Sequence, residues 1–146
     1  MTDDQTLRIT IAGSRDRILQ YIISQLMSIE ADIQLLYHAE DNLATLRKLK
    51  ALCPHIFIYY LNASDPAAVA LATALHSACS TTRLIVLSPT FTTDAVQKLI
   101  AAGAYALLTT QTPLDDLVHV IYATRAGQMT LTREIVMLFA PELNDR

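Results

Sequence analysis

The sequence predicts one doubly wound α/β domain, a five-stranded parallel sheet in the order 2-1-3-4-5 with helices on both faces. Strand and helix patterns alternate along the chain, and Pro, Gly or a capping side chain marks most of the junctions. The third and fourth strand runs are also apolar without alternation, as strands buried on both faces must be. The run Pro54-His55-Ile56-Phe57-Ile58-Tyr59-Tyr60-Leu61-Asn62 is the centre of this arrangement. In open sheets of this kind chemistry sits beyond the carboxyl ends of the strands, so Tyr60, Leu61 and Asn62 lie where a reactive group would be. None of them is a carboxylate.

Taken in order, residues 7–12 alternate around Ile9 and Ile11 and break at Gly13-Ser14, a strand entering a turn. From Arg15, apolar Ile18, Ile22, Leu26 and Ile29 recur at spacings of three and four, the stripe of an amphipathic helix. Asp32 opens a second strand through Tyr37, whose Gln34 and the following His38 suit the sheet edge. Asp41-Asn42 caps a helix bearing Leu43, Leu46 and Leu49. Cys53-Pro54 ends that helix and launches the central strand.

Ser64-Asp65-Pro66 starts an alanine-rich helix over 67–78, whose small side chains permit close approach to the sheet. The fourth strand, Leu84-Ile85-Val86-Leu87, stops at Pro89, and Thr92-Thr93-Asp94 opens a helix placing Val96, Leu99 and Ile100 inward. Gly103 follows it as a left-handed cap. A fifth strand covers 105–108. Pro113 begins the next helix, through Arg125, with Leu114, Leu117, Val118, Ile121 and Tyr122 toward the core and Gly127 as its stop. The core is thus expected over 7–127, with a last short helix at about 131–140, capped by Thr130 or Thr132, and a polar tail over 141–146.

At 146 residues the chain suits one domain able to bury a core without staples. Its 52% hydrophobic against 17% charged content leaves apolar surface for a partner. A net charge of -3, with Lys and Arg scattered, argues against direct nucleic-acid binding. Arg47, Lys48 and Lys50 form the wet face of a helix. Cys53 and Cys79 lack metal-like spacing and are expected as reduced thiols. The acidic start Met1-Thr2-Asp3-Asp4-Gln5 is unlike a secretory leader, and no apolar run approaches the ~20 residues of a membrane helix. A cytoplasmic protein without membrane contact is expected.

The wording of several segments resembles the receiver domain of bacterial two-component response regulators, particularly the NarL type, from Leu7 to Phe139. Leu7-Arg8-Ile9-Thr10-Ile11-Ala12 is similar to the first strand, the run 54–61 to the acceptor strand, and Arg83-Leu84-Ile85-Val86-Leu87-Ser88 to the fourth strand with its hydroxyl switch. Ala101-Ala102-Gly103-Ala104 is similar to the family's helix end, and residues 126–138 to its post-receiver segment. The resemblance implies the flavodoxin-like, CheY-like strand order. It also implies which site residues are missing. The acidic pair that holds Mg²⁺ falls on Gly13 and Ser14, the phospho-accepting aspartate on Tyr60, and the lysine on Thr109 or Thr110, while the hydroxyl is kept as Ser88.

The expected site is therefore a degenerate acceptor pocket of Gly13, Ser14, Tyr60, Asn62, Ser88, Thr109 and Thr110, with no catalytic residue, metal or cofactor. Tyr60 is expected to fill space rather than react, and Ser88 to bond nearby backbone. Asp16 and Asp65 could reach a metal but have local roles on a helix face and at a helix start. Gly13-Ser14 lacks a phosphate-loop glycine pattern, and Ser14, His38 and Asp65 lack the wording of a hydrolase site. His55, His76 and His119 have no partner spacing, and Leu131-Thr132-Arg133-Glu134 resembles the opening of a LuxR-type DNA-binding module without completing one.

The last helices of receivers commonly carry dimer or effector contacts. The resemblance therefore implies an interaction face at Val120, Ala123 and Tyr105, for a protein partner or a second copy of the chain. The functional expectation is a non-enzymatic, phosphorylation-independent interaction module in bacterial signalling. Two alternatives stand beside it: the regulatory front end of a larger DNA-binding or ATPase protein, and a small-ligand sensor using the vacated pocket.

Overall fold

The computed structural model describes residues 6–13, 17–26, 29, 31–37, 42–60 and 66–131. Its elements are β1 (Leu7–Gly13), α1 (Arg17–Leu26), β2 (Ala31–Tyr37), α2 (Asn42–Leu52), β3 (Ile56–Tyr60), α3 (Pro66–Ala78), β4 (Arg83–Ser88), α4 (Thr93–Ala101), β5 (Ala106–Thr109), α5 (Leu114–Arg125) and β6 (Thr130–Leu131). They form one parallel sheet in the order β2-β1-β3-β4-β5-β6. The five expected strands take their expected order, and a sixth is added.

β6 corrects part of the sequence reading, which allowed a helix at about 131–140 to be capped by Thr130 or Thr132: the Thr130 option is excluded. Thr130 and Leu131 instead pair with Ala106 and Leu107 of β5. The Thr130 N–H donates to the Tyr105 carbonyl at 2.9 Å, so a backbone group at the sheet rim gains a partner. A two-residue strand has no periodicity to read, which is why the pattern missed it. Residues 132–140 of the expected helix lie outside the described residues.

The alternation of strand side chains sorts the interior into two layers. Ile9, Ile11, Ile56, Ile58, Tyr60, Ile85, Leu87 and Leu108 face α1 and α5, meeting Ile22, Leu26, Leu117 and Ile121. Ala12, Phe57, Tyr59, Leu84, Val86 and Leu107 face α2, α3 and α4, meeting Leu49, Leu71, Leu75, Val96 and Leu99. Because both sets are buried, β3 and β4 need apolar residues at every position, and their unbroken hydrophobic runs follow. Phe57 and Tyr59 add a stacked contact with ring centroids 5.5 Å apart.

Local chemistry sets the ends. The Thr92 hydroxyl accepts from the Ala95 N–H at 3.1 Å and caps α4. Gly103, at φ +105°, turns the chain into β5 where a side chain would be strained and would press on His76. His55 is a boundary residue with a defined bond: its Nδ1 accepts from the Arg8 backbone N–H at 3.0 Å.

Arg83 holds the far end of α5. Its Nη1 donates to the Thr124 carbonyl at 2.9 Å, which also accepts from the Gly127 N–H, and to the Arg125 carbonyl, bringing positive charge to the carboxyl end of the helix. The guanidinium also lies 5.2 Å from the Tyr105 ring centroid. Arg83→Ala is expected to lower unfolding free energy by roughly 1–3 kcal/mol, since charge-assisted bonds and the stacking contact go together. Arg83→Lys should recover only part of that, and equal urea midpoints for Lys and Arg would count against this role.

Candidate functional site

The carboxyl edge of the sheet gathers four of the residues that the sequence singled out. Gly13 ends β1 opposite Tyr60 at the end of β3, and Ser88 ends β4 opposite Thr109 at the end of β5. Thr110 follows in the turn, with its N–H donating to the Ser88 carbonyl at 3.1 Å. The register thus sets Thr109 beside Ser88, and Thr110 belongs to the loop toward α5. Ser14 and Asn62 lie outside the described residues, as do Asp16, Asp65 and His38.

Gly13 and Tyr60 touch closely. A Cβ at position 13 would sit 2.5 Å from the Tyr60 carbonyl oxygen, 3.0 Å from its Cβ and 3.2 Å from Cδ2 of its ring. No real Cβ tolerates the first of these distances, so glycine is required there by contact rather than by a left-handed backbone. Tyr60 is 6% exposed and packs in the layer beneath α1 and α5. The aromatic side chain is therefore part of the core at the very end of the strand, with no carboxylate beside it on β1.

Ser88 is fully buried, and its hydroxyl donates to the Thr90 carbonyl at 2.7 Å. That bond ties the turn after β4 to its own strand. Thr109 accepts from the Thr112 N–H at 3.1 Å through its carbonyl, closing the loop before Pro113. Among the described residues no three His, Cys, Asp or Glu side chains gather as metal ligands. The described part of this edge presents hydroxyls, an aromatic ring and backbone, and no ionised group.

Beside this edge, Thr110 and Thr112 join Tyr21, Ile22, Gln25, Leu114 and Leu117 around a cleft of about 250 Å³ between α1 and α5. Sequence reading had no signal for it, because it depends on how two helices far apart in the chain meet over the sheet.

The expected interaction face needs a correction. Val120 is only 6% exposed and packs with Leu117 and Ile121 against the sheet, so it offers no free apolar surface. The inward stripe of α5 is Leu117, Val120, Ile121 and Thr124. Tyr122, read as inward, is 45% exposed. Ala123 is half-buried, and so is Tyr105, which lies under Arg83. The α5 residues open to solvent are Asp115, Asp116, His119 and Tyr122.

No protein-family model and no curated protein sequence matches the chain. Solved structures do. The chain superposes on the signal receiver domain of NarL from Mycobacterium tuberculosis with a TM-score of 0.72 and 17% identity, over 84% of this chain and 98% of that one. A two-component response regulator of the LuxR family from Aurantimonas sp. SI85-9A1 gives 0.77 at 20% identity, covering 94% and 97%. The isolated receiver (REC) domain of RcsB from Salmonella enterica serovar Typhimurium gives 0.77 at 18%, covering 92% and 99%.

The fold is that of response-regulator receiver domains. At these identities the likeness establishes the architecture alone. No helix among the described residues is long and apolar enough to cross a membrane.

The contact between Gly13 and Tyr60 has a measurable cost if disturbed. Gly13→Ala is expected to destabilise the protein by roughly 1–3 kcal/mol or more, because the obstructing atom is backbone and cannot swing aside. Urea unfolding should show a lower midpoint with an unchanged slope. An unaltered midpoint would mean that the two strands do not approach as described.

Proposed function

We propose that the chain is a receiver-type signalling module that works without aspartyl phosphorylation, by binding a protein partner or a second copy of itself. The observation that carries this reading is Tyr60, a buried aromatic packed on Gly13 at the end of the central strand. Forming an acyl phosphate requires a carboxylate nucleophile, a divalent cation held by oxygen ligands, and a cation against the phosphoryl oxygens. The positions matched by the resemblance in the described residues hold Gly13, Tyr60 and Thr109 or Thr110 instead, and the Ser88 hydroxyl donates to the Thr90 carbonyl. A phenol, with a reference pKa near ~10, is a poor replacement nucleophile at neutral pH.

The structure of two RcsB dimers bound to two parallel DNAs matches over 92% of this chain and 68% of that one. It supports the idea that this fold works through contacts with other chains, and the interaction role proposed here draws on it by analogy. On the present chain Tyr122, with Ala123 beside it, is the apolar group of α5 available for such a contact. Val120 is not, and Val120→Glu would bury a carboxylate in the core instead of probing a surface.

Two measurements test the proposal. Incubation with acetyl phosphate and Mg²⁺ should leave the intact mass unchanged, and a phosphate increment would overturn phosphorylation independence. If the partner is a second copy, sedimentation should show mass rising with concentration. Tyr122→Glu should then weaken association roughly tenfold or more without altering thermal stability. A monomer at all concentrations would leave only a different protein as partner.

A further inference from the structure

Cys53 and Cys79 are separated by a helix in sequence but meet at the amino-terminal edge of the sheet, opposite the receiver-like site. Cys53 leaves α2 in a left-handed conformation, φ +45°, with its N–H bonded to the Leu49 carbonyl at 2.7 Å. Cys79 ends α3, with its N–H bonded to the Leu75 carbonyl at 2.8 Å. The two turns are fastened together. The Thr82 hydroxyl donates to the Pro54 carbonyl at 2.7 Å, the Arg83 N–H donates to the His55 carbonyl at 3.0 Å, and Thr81 Oγ1 lies 3.8 Å from Cys53 Sγ.

The turn that Cys53 Sγ meets at Thr81 is the one that Cys79 opens, where the Thr82 N–H donates to the Cys79 carbonyl at 3.0 Å. Burial pushes the Cys79 thiol up from its ordinary value, the neighbouring Cys53 adds to the rise, and the Lys50 ammonium pulls the other way. Cys53 is exposed while Cys79 is buried.

We propose that Cys53 and Cys79 are a peroxide-sensitive modification site, closing reversibly to a disulfide that links the end of α2 to the end of α3. Cys53 is the exposed group an oxidant reaches, and Cys79, at the head of the turn that Cys53 contacts, is the resolving thiol. The Cys53 sulfur attacks one oxygen of hydrogen peroxide, the O–O bond breaks, and one water leaves as a sulfenic acid forms. The Cys79 sulfur then attacks the sulfenic sulfur. The S–S bond forms, the S–OH bond breaks, and the hydroxyl departs with the Cys79 proton as a second water. Two thiols have then lost two electrons and two protons, and the peroxide has been reduced to water.

The same arrangement accounts for both cysteines without metal or catalysis. The bridge would close a loop spanning β3 and α3, and so would restrain the chain leading into and out of Tyr60. It stands apart from the phosphorylation question, and can fail or hold independently of it.

The test uses the full chain treated with a small excess of hydrogen peroxide. Intact mass should fall by two hydrogens, both thiols should vanish from titration, and a non-reducing peptide map should join the Cys53 and Cys79 peptides, all reversed by dithiothreitol. In Cys79→Ala a sulfenic acid trapped by dimedone should accumulate on Cys53. In Cys53→Ser the buried Cys79 should react roughly tenfold more slowly than the pair. The wild-type mass and map need no variant, so a poorly folding substitution leaves the test intact. Thiols that stay titratable, a sulfinic acid on Cys53 with Cys79 still free, or disulfides only between chains would each overturn the proposal.

Discussion

A parallel sheet covered on both faces has nowhere to put water, and at its carboxyl edge this chain has carried that dryness to the last residue of the central strand. Tyr60 belongs to the same buried layer as Ile56 and Ile58, two and four residues earlier on the strand. Its carbonyl and ring occupy the space into which a side chain at position 13 would grow. The ends of β1 and β3 are therefore packed as one unit. The β3 backbone at position 60 leaves room only for a glycine at the end of β1, and the Tyr60 ring closes what space remains beside it, so a side chain cannot be added at position 13 without moving one of the two strands.

That constraint spreads along the edge. Ser88, which in a polar pocket could rotate toward an anion, is enclosed and donates to the Thr90 carbonyl instead. Thr109 and Thr110 close the next turn through their backbone groups rather than extending a charge over the strands. The receiver-like architecture persists because it depends on the two apolar layers and the crossover helices, and these are indifferent to what stands at the strand tips.

Much of this was legible in the residues. The unbroken runs 56–60 and 84–87 identify interior strands, Thr92 announces α4, Gly103 its end, and Pro113 the start of α5, each for a local reason the structure repeats. The errors also have local reasons. On α5 the inward stripe includes polar Thr124, while apolar Tyr122 points outward. Hydrophobicity alone therefore rotated the helix and assigned Val120 to the wrong side. Arg83 could not be read at all, since its carbonyl partners lie about forty residues away, with |i−j| of 41 and 42. The meeting of Cys53 with Cys79 is equally non-local, fixed by where two helices end rather than by spacing in the chain.

The polar edge strand β2 has a consequence for the molecule in a crowded solution. An open sheet has two rims, and each is a template on which a foreign strand can lie down. At one rim β2 turns Asp32 and Gln34 outward, polar groups that disfavour stacking. At the other, the described ladder is the pairing of Thr130 and Leu131 with β5. Polar side chains along β2 thereby disfavour strand addition at the β2 rim of an aliphatic-rich sheet.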